Sequence, residues 1–107
     1  MLALVVFGLM PCTAPAPACA EGSLAEVAIV EYQFKPAAIT VKTGDRVRWT
    51  NREKRTSHSV FFSAEGLPES DRLFPGETWE RSFLKPCDYP YACGPHPEMK
   101  GVVHVTE

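Results

Sequence analysis

The chain has 107 residues with 11 Lys/Arg against 13 Asp/Glu, a net charge of -2 and a hydrophobic share of 45%. That size allows one small core and excludes a two-domain enzyme, and the charge balance excludes a nucleic-acid binder driven by bulk positive charge. Residues 1–20 contain no charged side chain, three of the 10 prolines and two of the four cysteines. The charge therefore belongs to the remaining body, which at this size buries roughly 60–65% of its unfolded surface.

Leu2 to Met10 is an unbroken apolar run, too short for a bilayer, which needs about 20 residues. The run and the Ala18-Cys19-Ala20 pattern before Glu21 predict a secretory leader, residues 1–20, cleaved after Ala20, although no Lys or Arg precedes the run. Neither Cys12 nor Cys19 follows the small-residue pattern of a lipid-anchored protein. The expected product is a single periplasmic domain, 21–107, keeping Cys87 and Cys93 and carrying no stable membrane insertion. Two cysteines do not make a disulfide framework.

The body reads as short strands separated by turns. Val27 to Phe34 alternates apolar and polar and ends at Pro36. Ala38 to Val41 follows, and Thr43-Gly44-Asp45 turns into Val47 to Thr50, where Val47 and Trp49 share one face and Arg46 and Arg48 the other. Asn51 to Thr56 reads as a polar loop, and Ser57 to Phe62 as apolar again. Ala64 to Phe74 reads as a loop with one helical turn. Pro75-Gly76 leads into Glu77 to Leu84, with Trp79, Arg81 and Phe83 in alternation. Tyr89 to Ala92 and Gly101 to Thr106 close the chain. Seven such strands predict an all-β fold, a Greek-key β-sandwich.

The segment Cys93-Gly94-Pro95-His96-Pro97-Glu98-Met99 sets a thiolate, an imidazole and a thioether three residues apart between two strands. His58, in the upstream apolar run, supplies a second imidazole. Two His, one Cys and a weakly held Met form the ligand set of a mononuclear copper electron-transfer site. Thiolate and imidazole together suit both Cu(I) and Cu(II), and a rigid loop lets an electron leave without ligands moving. Pro95 and Pro97 fix φ on both sides of His96 and remove two backbone donors near the sulfur.

With these landmarks the chain resembles the cupredoxins over nearly all of its body. The matching stretches are Phe34-Lys35-Pro36, Gly44-Asp45, Val47 to Asn51, His58, Phe74 to Glu77, Tyr89 to Cys93 and Gly101-Val102-Val103. The short Cys-to-Met loop is similar to that of the amicyanins. The resemblance implies one copper ion cycling Cu(I)/Cu(II), with His58, Cys93, His96 and Met99 as ligands. It further implies a monomer whose transient redox partners dock near a partly exposed His96. Two departures stand out. Ser59 occupies a position where the family usually carries Asn or Asp to tie the ligand loops, so a looser tie is expected. Cys87 occupies a turn position where the family commonly has Gly. These features resemble copper-tolerance cupredoxins with green sites, which makes handling of excess copper the alternative function.

The remaining candidates have plainer readings. Glu98 reads as solvated and His104 as a surface histidine. Cys87 reads as an inert thiol, with a second soft metal site or an intermolecular disulfide as its functional options. Arg52, Lys54 and Arg55 form a solvated basic loop that an acidic partner would find attractive. Zinc fits a Cys-His-His set but leaves Met99 without purpose. Catalysis by a second copper needs further histidines, and one is unassigned. The chain is therefore expected not to be an enzyme and to have no nucleic-acid partner.

Overall fold

A computed structural model describes residues 22–107; the expected leader, with Cys12 and Cys19, lies outside the described residues. Among the described residues the order is β1 (Leu24–Val30), β2 (Gln33–Lys35), β3 (Ala38–Lys42), β4 (Arg46–Asn51), a 3₁₀ turn (Ser63–Glu65), β5 (Thr78–Ser82), β6 (Cys87–Ala92) and β7 (Lys100–Thr106). Four strands form one sheet in the order β2-β1-β4-β5, and three form the other in the order β3-β7-β6. The all-β sandwich is as the sequence predicts. Strands β1 and β4 run parallel, as do β3 and β7, so the chain crosses between sheets instead of closing every neighbour by a hairpin.

Alternation decides which face is buried. In β4, Val47 and Trp49 are fully buried while Arg46 and Arg48 turn outward to Glu80 and Glu26. Val27 and Ile29 of β1 meet Val41, Tyr89, Tyr91, Val103 and Val105 of the other sheet in one core cluster. Trp49 lies at its centre, 5.4 Å from the Tyr91 ring and 6.0 Å from Phe62. Gly76, with φ of 88°, closes the turn in which the Glu77 N–H reaches the Phe74 carbonyl.

Two of the expected strands are redrawn. Val27 to Phe34 is not one strand but a hairpin, with Val30 opposite Gln33 and Glu31-Tyr32 as its two-residue turn. Both turn residues have positive φ, 56° and 57°, the type I′ geometry that matches strand twist. Ser57 to Phe62 belongs to neither sheet. It touches its neighbours through isolated bridges, His58 to Leu73 and Phe61 to Ala92. The number seven thus survives by compensation: one expected strand splits and another drops out.

Cys87 opens β6 instead of lying in a turn, and it is half-buried against the core. Cys93 is a free thiol. The two cysteines are therefore not bridged to each other.

Candidate metal centre

Two segments converge at one end of the sandwich. The first leaves β4 at Asn51, a fully buried polar residue. Its Nδ2 donates to the carbonyls of Thr56 and Leu73, each at 2.8 Å, and its Oδ1 accepts from the Glu53 N–H at 2.8 Å. One amide thus shapes the whole turn from Asn51 to His58. The second segment joins β6 to β7, which pair Ala92 with Lys100. It is closed by the Cys93 N–H on the Met99 carbonyl at 3.0 Å and the Met99 N–H on the His96 carbonyl at 2.8 Å.

His58 is fully buried, Cys93 is 1% exposed, and His96 is half-buried. The Cys93 Sγ lies 3.5 Å from His58 Nδ1 and 3.7 Å from His96 Nδ1. The three ligand atoms all fall within 4.8 Å of one another. For a first-row metal with bonds of roughly 2.3 Å to sulfur and 2.05 Å to nitrogen, angles of 110–120° put S and N about 3.6–3.8 Å apart. The observed spacing therefore suits one small ion shared by the three atoms. Met99 is buried at 3% exposure in the same closed loop, whereas Glu98 is exposed as expected.

Each group around the three atoms has a definable task. Glu53 Oε2 stands 3.1 Å from His58 Nε2, so the carboxylate takes the Nε2 hydrogen and leaves the Nδ1 lone pair facing the sulfur. Burial pushes the His58 imidazole below its ordinary range, with Glu53 only partly opposing this, so the ring is held neutral. Burial tends to raise the Glu53 carboxyl, but the Tyr32 N–H and His58 outweigh it, and the group ends below its usual range. The Ser59 N–H donates to Cys93 Sγ at 3.4 Å.

Tyr32 completes the rim. Its N–H donates to Glu53 Oε2 at 2.8 Å and its hydroxyl lies 3.1 Å from the Thr56 hydroxyl. The ring sits edge-on to both imidazoles, with centroids 5.0 Å from His96 and 5.5 Å from His58. A positive φ is uncommon at a tyrosine, and here the Glu53 carboxylate and the two rings hold it.

All three of the tightest expected donors, His58, Cys93 and His96, are thus brought together, with Met99 in the loop that carries two of them. Asn51 and Glu53 were expected in a solvated loop; both turn inward, while Arg52, Lys54 and Arg55 remain exposed. Tyr32 had no signal as a site residue. His104 stays at the surface, paired with Asp88 at 2.7 Å.

The model of the copper binding proteins of the plastocyanin/azurin family matches residues 23–106. The chain belongs to this family. It is 36% identical over 83 residues to amicyanin-alpha of Methylorubrum extorquens, a match covering 75% of this chain and 70% of the relative. The fold is similar to the Cu(I) form of a methionine-to-alanine variant of amicyanin, with TM-score 0.72, 30% identity, and 82% and 86% of the two chains covered. It also matches part of a copper-containing nitrite reductase from Thermus scotoductus, with TM-score 0.74 and 27% identity. That match covers 92% of this chain but 25% of the reductase. The donor set of thiolate, two imidazoles and a thioether loop fits copper chemically.

Proposed function

We propose that the chain is an exported electron carrier, with His58, Cys93, His96 and Met99 as the ligands of one type 1 copper. Bound copper supplies a centre that gains and loses a single electron between Cu(II) and Cu(I). The chain's residues do the rest. Asn51 and Glu53 hold His58 in one tautomer and orientation, and Pro95 and Pro97 stiffen the loop that carries Cys93 and His96. A site whose donors are already gathered has little to rearrange when its charge changes. The half-buried His96, bordered by Tyr32, is the edge through which a transiently docked partner exchanges the electron.

The observation that carries this reading is the buried Cys93 sulfur with two imidazole Nδ1 atoms 3.5 and 3.7 Å away. The alternative, handling of excess copper, draws on Cys87 and on an expected looseness at Ser59. In this fold the Gly94 N–H donates to Ser59 Oγ at 2.9 Å, so the two ligand segments are tied, and the carrier reading is favoured. The remaining parts of the proposal are a leader cleaved after Ala20, a periplasmic location and a monomeric, non-enzymatic role. No helix among the described residues is long and apolar enough to cross a membrane.

Voltammetry of the copper-loaded protein tests the carrier role. The expected result is a reversible one-electron couple that persists over repeated cycles. Loss of metal on each reduction or oxidation would defeat it and favour a protein whose task is to hold and release copper.

A further inference from the structure

The loop 66–72 carries no ligand, yet one of its side chains reaches the ligand segments. Ser59 Oγ donates to Glu69 Oε2 at 2.5 Å and accepts from the Gly94 N–H at 2.9 Å. A second contact is steric. A Cβ on Gly94 would fall 2.0 Å from Glu69 Oε2 and 2.4 Å from its carboxyl carbon, so the carboxylate lies directly against the Gly94 α-carbon. The next residue fastens the same loop: Ser70 Oγ accepts from the Val60 N–H at 2.9 Å, and the Ser70 N–H donates to the Val60 carbonyl at 3.0 Å.

A serine hydroxyl rotates freely and has one hydrogen to give. With that hydrogen committed to a carboxylate, its lone pairs point away from Glu69 and toward Gly94, and the charged partner strengthens the oxygen as an acceptor. Ser59 follows His58, and Gly94 follows Cys93. Ser59 is also the residue whose N–H meets the Cys93 sulfur. Fixing its side chain therefore fixes the spacing between the two ligand-bearing segments.

We infer that Glu69 is a positioning residue of the metal centre, locking the His58 and Cys93 segments together through the Ser59 hydroxyl. The inference rests on the ligand assignment above for its consequence at copper, but its geometry belongs to the metal-free chain. Glu69 sits in an exposed loop, so its replacement leaves the core intact.

Two readouts on E69A and E69Q test it. In the metal-free protein, hydrogen exchange followed by NMR should show the Gly94 amide exchanging about tenfold faster in E69A, the factor expected for losing one charge-assisted hydrogen bond. E69Q, whose amide oxygen still accepts, should stay within about threefold of wild type, and S59A should reproduce the E69A effect. In the Cu(II) protein, E69A should shift the thiolate charge-transfer spectrum and E69Q should restore it. Unchanged Gly94 exchange in E69A would overturn the inference, as would equal acceleration of all core amides. A wild-type protein without any charge-transfer band would instead overturn the ligand assignment, leaving the metal-free exchange to decide the role of Glu69.

Discussion

Replacing Glu53 by Ala removes one carboxylate that serves two sides of the site. Its Oε2 accepts the His58 Nε2–H at 3.1 Å and the Tyr32 N–H at 2.8 Å, with 12% of the side chain exposed. The His58 side chain is wholly buried, so its Nε2–H would lose its partner with no solvent at hand. A buried donor left without an acceptor costs about 1–3 kcal/mol. Loss of the group that orients a ligating histidine weakens metal binding by roughly 10–100-fold, the same range expressed as affinity. Competition with a Cu(I) chelator at neutral pH should accordingly show a rise in Kd of about 10–100-fold for Glu53→Ala and a smaller rise for Glu53→Gln, whose oxygen can still accept. The same variant releases the Tyr32 N–H, so the Tyr32 amide should exchange faster with solvent. A Kd within about twofold of wild type, in a variant whose circular dichroism shows the native fold, would refute this assignment of Glu53.

Three further expectations concern the scaffold and its pH dependence. Gly101 lies opposite Tyr91, and a Cβ there would sit 2.4 Å from Tyr91 Cζ, a ring wedged between Phe34, Trp49 and Phe62. Gly101→Ala should therefore cost about 1–3 kcal/mol in urea unfolding, and an unchanged midpoint would contradict that packing. The Arg81 guanidinium stacks 4.5 Å from both the Phe62 and Phe83 ring centroids and makes two 2.8 Å bonds to Glu65. Arg81→Ala should cost about 2 kcal/mol and Arg81→Lys about half as much, because a lysine keeps the charge but lacks the planar fork; an Arg81→Lys variant as stable as wild type would show that charge alone matters, and equal losses that charge contributes nothing. Finally, His58 has a folded pKa below its ordinary 6.5, so the unfolded chain binds the extra proton first. Stability of the metal-free protein should fall as pH drops below about 6.5, and the lowered Glu53 should extend the fall below its ordinary 4.5. A urea midpoint that holds or rises between pH 7.5 and pH 5 would contradict the sign.

The strands of the core were legible because burial in a sandwich imposes a period of two. Val47 and Trp49 against Arg46 and Arg48 fall on opposite faces by alternation alone. Cys93, His96 and Met99 stand out as candidate donors because one short loop carries all three, and His58 because it interrupts an apolar run; the fold gathers His58, Cys93 and His96. What surrounds them was not legible, for physical reasons. A type I′ turn ordinarily advertises itself by Asn or Gly, and Glu31-Tyr32 has neither. It is held instead by a carboxylate from residue 53, which no local pattern reveals. Asn51 and Glu53 looked solvated because polar residues in a turn usually are. Each is drawn inward by partners supplied by distant chain, the Leu73 carbonyl for one and the Tyr32 amide and His58 imidazole for the other. Ser57 to Phe62 has the composition of a strand, but its Val60 N–H is taken by a side chain, Ser70 Oγ, and no ladder forms. The looser tie expected at Ser59 overlooked a third residue: a short hydroxyl suffices when Glu69 occupies its hydrogen.

The Cys93 thiolate, with His58 and His96, is expected to hold one copper. Titration of the metal-free protein with Cu(II), followed by visible absorption, tests it most directly. An intense sulfur-to-copper charge-transfer band should appear, saturate at one equivalent and be absent from a folded Cys93→Ser variant. A native fold that binds Cu(II) without such a band, or a band that survives in Cys93→Ser, would contradict it.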